Sequence, residues 1–480
     1  MSNGLSTEGV ASPVAPRASQ WLAIVAVVAL ASALRMRALF TDFWLDEIWS
    51  FDEFARRARS VGDVFLNPAF RSDNNQHLNT VLLYLIGDRS SWAVYRLPAL
   101  AAGLMTVAVA TMIGQRRSRV EGWTSGLVVA ASFLMVVYST EARGYAFLLL
   151  FALLAFQALT RYLDRPSVRD AASFWIWIAL GLASHSSISH FYLGALLWSG
   201  YRLRGRLRAL LQLHTVPIVY AALWIAIVLR GTRVGGGPPW TWQVVGDQCF
   251  AWTLGYPTNA TPAALTASIV ALLVVWDAWH LWREGSDEGL FYIGVIFGPV
   301  VLVAALSPPW MFPRYFLISL LFLLLLVARW LARLWHVPHA RPAVAAILLL
   351  FFAGNLRHIV PFSEYGRGEG AQALRVIAGS STAPTITVTG LPVDLWTDLP
   401  LHFYDRVLGL GGHLRYVRRD DSSASSADWV VVQSQSAQTA PRVSVELRPG
   451  SLFEWRASYP AYGPSGMFWS IYQHAPLVSK

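Results

Sequence analysis

The stretch WLAIVAVVALASALRMRALFTDFWLDEIWS, residues 21–50, decides the fold. It opens with an uninterrupted apolar run and closes on two adjacent acids, Asp46 and Glu47, among tryptophans. An apolar helix of about 20 residues crosses the roughly 30 Å hydrocarbon core of a bilayer. Because no small-residue cleavage site and polar sequence follow the apolar run, the stretch predicts a retained span over residues 20–40 and not a cleaved signal peptide.

The composition extends this interpretation to the whole chain. Hydrophobic residues make up 55% of the 480 residues and charged residues only 14%, whereas an ordinary soluble domain carries about 25% charged residues. The mean hydropathy is +0.44. The apolar runs predict an α-helical polytopic membrane protein with about eleven transmembrane helices, since each run can cross a bilayer. The predicted spans are residues 20–40, 93–114, 121–140, 144–162, 172–185, 188–201, 210–230, 263–282, 289–307, 315–334 and 341–359.

The formal charge of +10 is distributed between the apolar runs. Arginine clusters in such loops act as topology signals and contact lipid headgroups. With a cytoplasmic amino terminus and the predicted spans, every cluster falls on the cytoplasmic side, as the positive-inside rule requires. The clusters are Arg116, Arg117 and Arg119; Arg161, Arg165 and Arg169; Arg202, Arg204, Arg206 and Arg208; and Arg329 and Arg333. We therefore predict a multi-pass protein of the cell membrane, with membrane lipids and no nucleic acid as partners.

This topology requires one apolar stretch not to cross the membrane. Leu78 to Ile86 is far shorter than the roughly 20 residues that a span needs. We predict an interfacial helix there, lying on the outer leaflet within a first outer loop of residues 41–92. If this stretch crossed, every downstream basic loop would move to the outside.

The two ends of the chain differ from its apolar middle. Residues 1–19 are polar and rich in Pro and Ser, and we predict a disordered cytoplasmic tail. Residues 20–360 form the predicted transmembrane domain, and residues 361–480 a small extracytoplasmic soluble α/β domain. The elements predicted in the latter are the strands TITVTG (385–390), DWVVVQS (428–434) and RVSVEL (442–447) and the helix GAQALRVIAG (370–379).

The acidic pair is the strongest candidate for chemistry. Asp46 and Glu47 lie in FWLDEIWSF, residues 43–51, just after the first span. A carboxylate held beside an acceptor hydroxyl can act as a general base. The alternative is a helix cap, because acids also favour the first turn of a helix. The spacing alone does not decide between these roles.

Charged residues recur at other predicted outer span ends. Arg35 and Arg314 lie where two arginines could clamp a phosphate or diphosphate. STEARGYAF brings Glu141 and Arg143 to another outer edge. An arginine in that position also commonly extends to the membrane interface without any further role.

Histidines and one more acid complete the set of candidates. Asp73 and His77 have the i, i+4 spacing of a helical pair, although a polar loop capped by Asp73 explains them as well. His185 and His190 lie at an outer edge, where a satisfied interface histidine is the alternative to a ligand-binding one. Cys249 is the single cysteine, and no HExxH, CxxC or Walker-type motif occurs. We predict no metal site and no cofactor; a divalent metal is compatible with the sequence, but nothing indicates one.

Taken in order, these motifs resemble the C superfamily of integral membrane glycosyltransferases (GT-C), above all protein O-mannosyltransferases and the aminoarabinose transferases that modify lipid A. Those families place Asp-Glu in the loop after the first span, as in LRMRALFTDFWLDEIWS (34–50), and continue into an interfacial helix, as in QHLNTVLLYLIG (76–87). An Arg-Leu-Pro element follows, matched by YRLPALAAG (95–103), and then a Glu/Gln-x-Arg-x-Tyr element, matched by EARGYAF (141–147). A late Arg-Tyr is matched by FPRYFL (312–317).

The resemblance implies an inverting transfer of a sugar from a polyprenyl monophosphate, or less often a diphosphate, to a lipid, glycan or protein acceptor. It implies that Asp46 and Glu47 are catalytic, with Asp46 as the base. The implied substrate-binding residues are Arg35, Asp73, His77, Glu141, Arg143, Tyr145, His190, Arg314 and Tyr315. The alternatives are a transporter or flippase of a lipid-linked or anionic solute, and an envelope glycan ligase or polymerase. Charges at outer span ends, and not at the membrane midplane, favour the enzyme over the transporter.

Overall fold

The computed structural model describes residues 18–70, 74–232, 241–259, 262–435 and 442–475, and shows a helical bundle with a β-sheet domain at one end. The α-helices in this part of the chain are α1 (Ala18–Met36), α2 (Leu45–Ile48), α3 (Val61–Leu66), α4 (His77–Ile86), α5 (Trp92–Gln115), α6 (Arg119–Ala131), α7 (Phe133–Tyr138), α8 (Tyr145–Asp164), α9 (Val168–Ser184), α10 (Ile188–Arg202), α11 (Leu207–Ile227), α12 (Trp242–Leu254), α13 (Ala263–Arg283), α14 (Gly289–Leu306), α15 (Leu317–Trp335), α16 (Arg341–Tyr365), α17 (Gly370–Ala378) and α18 (Asp394–Leu408).

Long apolar helices build the bundle. Within the described ranges, 8 helical segments are long and apolar enough to cross a membrane, and each coincides with a predicted span. The other predicted spans correspond to shorter helices: α9 has 17 residues, α10 has 15, and the span predicted at 121–140 is divided between α6 and α7. The division occurs at Ser132, whose ψ of 121° ends α6, and the next amide, that of Phe133, donates to Asn355 Oδ1 at 2.7 Å. The polytopic helical class is confirmed, and the exact number of spans stays a prediction.

The described part of the first loop is helical, but its helices are too short to be membrane spans. It contains α2, a π-helical turn over Trp49–Ala55, α3 and α4. α4 has 10 residues. At a rise of 1.5 Å per residue it is about 15 Å long, half of what a span needs. This length agrees with the prediction that α4 is too short to be a span, whereas its interfacial position stays a prediction.

The arginine clusters meet at one end of the bundle. Arg117 and Arg329 both bind Glu288, and Arg202 binds the neighbouring Asp287 at 3.3 Å. α5 runs from Arg96, which contacts the first loop, to this end. The first loop and the basic clusters therefore lie at opposite ends, as the predicted topology requires, while the membrane side of each end stays a prediction.

The C-terminal domain is built on a six-stranded mixed sheet with the order β2-β1-β3-β6-β5-β4. β1 pairs in parallel with β2 and β3, and the remaining pairs are antiparallel. The strands are β1 (Ile386–Leu391), β2 (Leu414–Tyr416), β3 (Trp429–Ser434), β4 (Ser444–Glu446), β5 (Leu452–Tyr459) and β6 (Phe468–His474). The sequence predicted β1, β3, β4 and α17, and missed α18, β2, β5 and β6.

One apolar core joins this sheet domain to the first loop. Phe43 of the loop stacks on Phe403 of α18 with ring centroids 6.0 Å apart, and both belong to the same buried cluster. Tyr404 donates its hydroxyl to the carbonyl of Phe43 at 2.6 Å, and the amide of Ala371 donates to Asp42 Oδ2 at 2.8 Å. The sheet domain is thus packed directly against the end of the bundle that carries the acidic pair.

Candidate active site

Asp46 lies between two arginines from distant parts of the chain. It is in the first turn of α2, and its Oδ2 lies 2.8 Å from a guanidinium nitrogen of Arg143 and 2.9 Å from one of Arg314. The Asp46 side chain remains 22% exposed, whereas Arg143 and Arg314 are only 11% and 16% exposed. The structure therefore brings together three residues that the sequence singled out separately, and it leaves the carboxylate as the most accessible of them.

Glu47 has a different environment from its neighbour. Its side chain and that of Arg96 are both 0% exposed, and two Arg96 nitrogens lie 2.8 and 2.6 Å from the two Glu47 oxygens. Glu47 Oε1 also accepts from the amide of Ala142 at 2.7 Å. Burial acts to raise the pKa of Glu47, but the Arg96 charge and hydrogen bonds outweigh it and hold that pKa below its usual value. Glu47 thus ties α2 to α5 and to the segment that carries Arg143.

Arg96 lies in the Arg-Leu-Pro motif but was not among the predicted site residues. Its guanidinium also donates to the carbonyl groups of Leu39 at 3.0 Å and Asp42 at 2.8 Å, in the turn that follows α1. A buried arginine whose guanidinium donates to a carboxylate and to several carbonyl groups fixes the path of the backbone around it. The sequence feature that could have indicated Arg96 is the Arg-Leu-Pro element, because it places a charged residue at the start of a long apolar helix.

The segment between α7 and α8 is held by the start of α4. Gln76 Oε1 accepts from Arg143 Nε at 3.1 Å and from the amide of Gly144 at 2.7 Å, and Asn79 donates to the carbonyl of Ala142 at 2.8 Å. A side chain at Gly144 would meet the Ser184 carbonyl at 2.2 Å, so this position requires glycine. Gln76 was not among the predicted site residues, although it is adjacent to His77 in QHLNTVLLYLIG (76–87).

Glu141 connects the same segment to the sheet domain. It is 0% exposed, its Oε2 accepts from the Ser465 hydroxyl at 3.0 Å, and no partner is found for its Oε1 among the residues that the structure describes. Burial raises the pKa of Glu141 above its usual value. Arg367 donates to the carbonyl of Val137 at 3.0 Å. The loop that presents Arg143 is therefore supported from the sheet domain as well.

The remaining predicted residues differ in their contacts, and Tyr145 is one whose contact reaches an arginine of the cluster. Tyr145 has the Arg143 guanidinium 5.6 Å from its ring centroid, and the Tyr315 backbone hydrogen-bonds to buried His190. His77 stacks on Phe65 with centroids 5.7 Å apart, and burial lowers the pKa of His77 to about 4.

Two further predicted positions are not brought to the cluster. Arg35 lies inside the bundle, where it donates to Ser139 Oγ at 2.7 Å and to the Ala130 carbonyl at 2.8 Å. It supports the C-terminal end of α7 and not the Asp46 carboxylate. Asp73 lies outside the described residues, so its predicted pairing with His77 stays a prediction.

Two cavities are lined in part by α12, and one of them includes residues of the cluster. One, of about 880 Å³, is lined by Asp46 and Arg314 together with residues of α12 and of the sheet domain. The other, of about 600 Å³, is apolar and lies among α12, α13, α14 and α15. Within the described ranges, no group of three or more His, Cys, Asp or Glu side chains is placed to hold a metal ion.

Comparisons with known proteins show what this chain is similar to. Residues 76–230 match the family described as dolichyl-phosphate-mannose-protein mannosyltransferase. The structure is similar to ArnT from Cupriavidus metallidurans in the apo state, with a TM-score of 0.51 and 16% identity, over 87% of this chain and 93% of that one. It is similar also to ArnT from the same organism bound to undecaprenyl phosphate, with a TM-score of 0.52 and 14% identity, over 95% and 98% of the chains. No curated protein matches the chain.

The chain therefore shares the fold of ArnT over nearly the whole length of both chains, and its segment from α4 to α11 is similar to the mannosyltransferase family. These likenesses confirm the GT-C resemblance seen in the sequence. At these identities the likeness concerns the fold, so the roles of individual residues rest on the geometry of this chain.

Proposed function

We propose that the protein transfers a sugar from a polyprenyl-phosphate donor to an acceptor hydroxyl, with inversion, at the end of the bundle that carries the sheet domain. The observation that supports this most directly is Asp46 Oδ2 held 2.8 Å from Arg143 and 2.9 Å from Arg314 beside a large cavity. Guanidinium groups suit the oxygens of a phosphate, and a carboxylate beside them can accept a proton. ArnT bound to undecaprenyl phosphate makes a lipid phosphate the natural donor to test.

The apolar cavity offers a site for the lipid chain of such a donor. Its lining includes Val270 of α13, Ile296 of α14 and Leu320 of α15. Phe316, which closely follows Arg314 in the sequence, lines it as well. A polyprenyl chain in this cavity would be removed from water along its length, at roughly 25 cal/mol per Å² of buried apolar surface. Its phosphate would then lie next to the Arg314 guanidinium.

Donor binding would change the partners of Asp46. In the structure both arginines contact Asp46 Oδ2, so this oxygen already has two partners before a donor binds. A phosphate that takes over guanidinium N–H groups of Arg143 and Arg314 would release Oδ2. The base would then become active only when the donor is present.

The chemical step follows from this arrangement. The acceptor hydroxyl gives its proton to Asp46, and its oxygen forms a bond to the anomeric carbon. The bond between that carbon and the phosphate oxygen breaks on the opposite face, which inverts the configuration. The electron pair leaves with the polyprenyl phosphate, whose developing charge Arg143 and Arg314 stabilise.

The test is a donor assay in membranes that contain the protein. Polyprenyl phosphates carrying radiolabelled mannose, glucose, galactose, arabinose or aminoarabinose are supplied separately, and label is followed from the lipid-phosphate fraction into an acceptor fraction. We expect one donor to be consumed, and no consumption by Asp46→Asn in the same membranes. Consumption of none of them above the rate of membranes without the protein would contradict the proposal. Passage of unchanged label across sealed vesicles would favour the transporter instead.

A further inference from the structure

The cavity beside Asp46 has walls from three parts of the chain. The first loop contributes Trp44 and Asp46, and the region of α12 contributes Asp247 and other polar residues. The third wall is the sheet domain, including Trp396 of α18. The domain that follows the membrane spans is therefore part of the active-site cavity and not a separate appendage.

Among the described residues, several buried polar atoms without partners belong to side chains that line this cavity. Within the described part of the chain, such buried atoms occur on these cavity-lining residues: Trp44 Nε1, Asp247 Oδ1, Gln248 Oε1, Gln433 Nε2 and Gln435 Oε1. Leaving one buried donor or acceptor unsatisfied costs about 1–3 kcal/mol. Several such groups, of both donor and acceptor type, around one cavity indicate a ligand that supplies the missing partners.

Two of these side chains are held in position by their other polar atom. Gln433 of β3 is 3% exposed, and its Oε1 lies 3.5 Å from the hydroxyl of Thr397, which leaves the amide Nε2 for a ligand. Asp247 of α12 is 6% exposed, and its Oδ2 accepts from the amide of Asn259 at 2.9 Å, which leaves Oδ1. The first offers a donor from the sheet domain and the second an acceptor from the membrane domain.

Aromatic side chains line this cavity together with these polar groups. Trp44, Trp252, Trp396 and Phe312 line the same cavity. A saccharide carries hydroxyl groups that both donate and accept, and apolar C–H faces that stack on aromatic rings, so it satisfies both features at once. Cavities of about 300–1,000 Å³ enclose drug-sized ligands, and this cavity of about 880 Å³ accommodates more than a single donor sugar.

We propose that the sheet domain, through Gln433 and Trp396, forms an acceptor subsite that binds a saccharide, so that the acceptor hydroxyl belongs to a glycan and not to a peptide. The role of this site as an acceptor subsite rests on the proposed function, whereas the binding of a saccharide at these residues does not depend on it. The acceptor sugar would lie between the sheet domain and Asp247, with its reacting hydroxyl directed to Asp46.

The experiment measures binding by saturation-transfer difference NMR with the full-length protein in nanodiscs. The probes are α-mannotriose, maltotriose, chitotriose and a threonine-containing hexapeptide. Gln433→Leu and Trp396→Leu are compared with Gln473→Leu and Trp455→Leu, which change the same residue types in the same domain outside the cavity; Trp455 is 41% exposed, and Gln473 binds Arg456 at 3.0 Å.

We expect at least one trisaccharide to bind, the hexapeptide not to bind, and each cavity variant to weaken saccharide binding by roughly tenfold, the value of one lost hydrogen bond or stacking contact. The two control variants should bind as the unchanged protein does. Thermal unfolding of all variants is measured alongside. Since leucine removes an unpartnered Nε2 and only one long contact, that of Oε1 with Thr397 at 3.5 Å, Gln433→Leu should remain folded. Should either cavity variant unfold, the other one carries the comparison.

Three results of the binding experiment would overturn the proposal. They are preferential binding of the hexapeptide, undiminished saccharide binding in both cavity variants, and displacement of the trisaccharide by polyprenyl-phosphate mannose, which would assign it to the donor-sugar position. Failure of the donor assay leaves these binding results in place, so loss of the proposed function and loss of this subsite are distinguishable. Donor turnover with peptide acceptors alone would overturn the saccharide subsite and leave the proposed transferase intact.

Discussion

Asp46 and Glu47 are adjacent in the sequence, yet the structure predicts opposite consequences for replacing each carboxylate by its amide. Asp46 is 22% exposed at a cavity and is held by two arginines, whereas Glu47 and Arg96 are 0% exposed and contact each other through both carboxylate oxygens. Asp46→Asn should therefore impair the reaction, and Glu47→Gln should impair the fold. The two amides are nearly isosteric with the acids they replace, so the comparison isolates charge.

The magnitudes follow from these environments. General-base catalysis contributes about 10²–10⁴-fold, so Asp46→Asn should lower turnover by that factor while thermal stability and donor affinity stay close to normal. Glu47→Gln leaves the Arg96 charge buried with only neutral partners, and removing one partner of a buried ion pair costs about 3–5 kcal/mol. The matched control is Glu53→Gln, which breaks an exposed pair with Arg57 and should cost about 0–1 kcal/mol.

The assay measures turnover, donor affinity and thermal unfolding of detergent-purified variants side by side. We expect the loss of turnover in Asp46→Asn without a lower unfolding temperature, and a lower unfolding temperature in Glu47→Gln. Normal turnover in Asp46→Asn together with a stable but inactive Glu47→Gln would exchange the two roles. If both variants turned over normally, the acidic pair would be a helix cap, and the proposed base would be wrong.

Further predictions concern the phosphate, the topology and pH. Alanine at Arg143 or Arg314 should weaken binding of a polyprenyl-phosphate sugar, and lysine should restore it only in part because the bidentate geometry is lost; equal affinity in all variants would exclude these residues as the phosphate site. Reporter fusions at residue 118 and at Lys480 should show a cytoplasmic and an extracytoplasmic position, and a periplasm-only reporter active at 118 would refute the topology. Burial raises the pKa of Asp42 to about 6 from its ordinary value of 3.8, so the folded protein binds the extra proton and stability should decrease as pH rises through this interval; Asp42→Asn should flatten that decrease in thermal unfolding.

The sequence alone was sufficient for the class of protein. Apolar runs of span length depend only on local composition, and the arginines between them depend only on position along the chain. The order of short motifs, from the Asp46 pair to FPRYFL (312–317), was enough to predict the GT-C fold. Short runs rich in β-branched residues likewise predicted β1 and β3, which are buried on both faces over most of their length. β5 was missed because its pattern is mostly exposed and contains no such run.

Only the tertiary structure decided which of these residues act together. Asp46 and Arg314 are 268 residues apart, and no periodicity in the chain relates them; helix packing alone brings them to 2.9 Å. The same holds for Glu47, whose role depends on a partner 49 residues away on another helix. It holds also for Gln433, which reads in sequence as an ordinary strand residue and becomes part of the cavity because the sheet domain packs on the first loop. Local patterns determine which segments are helices, strands and spans, whereas a site is formed by contacts between segments, and those depend on how the whole chain packs.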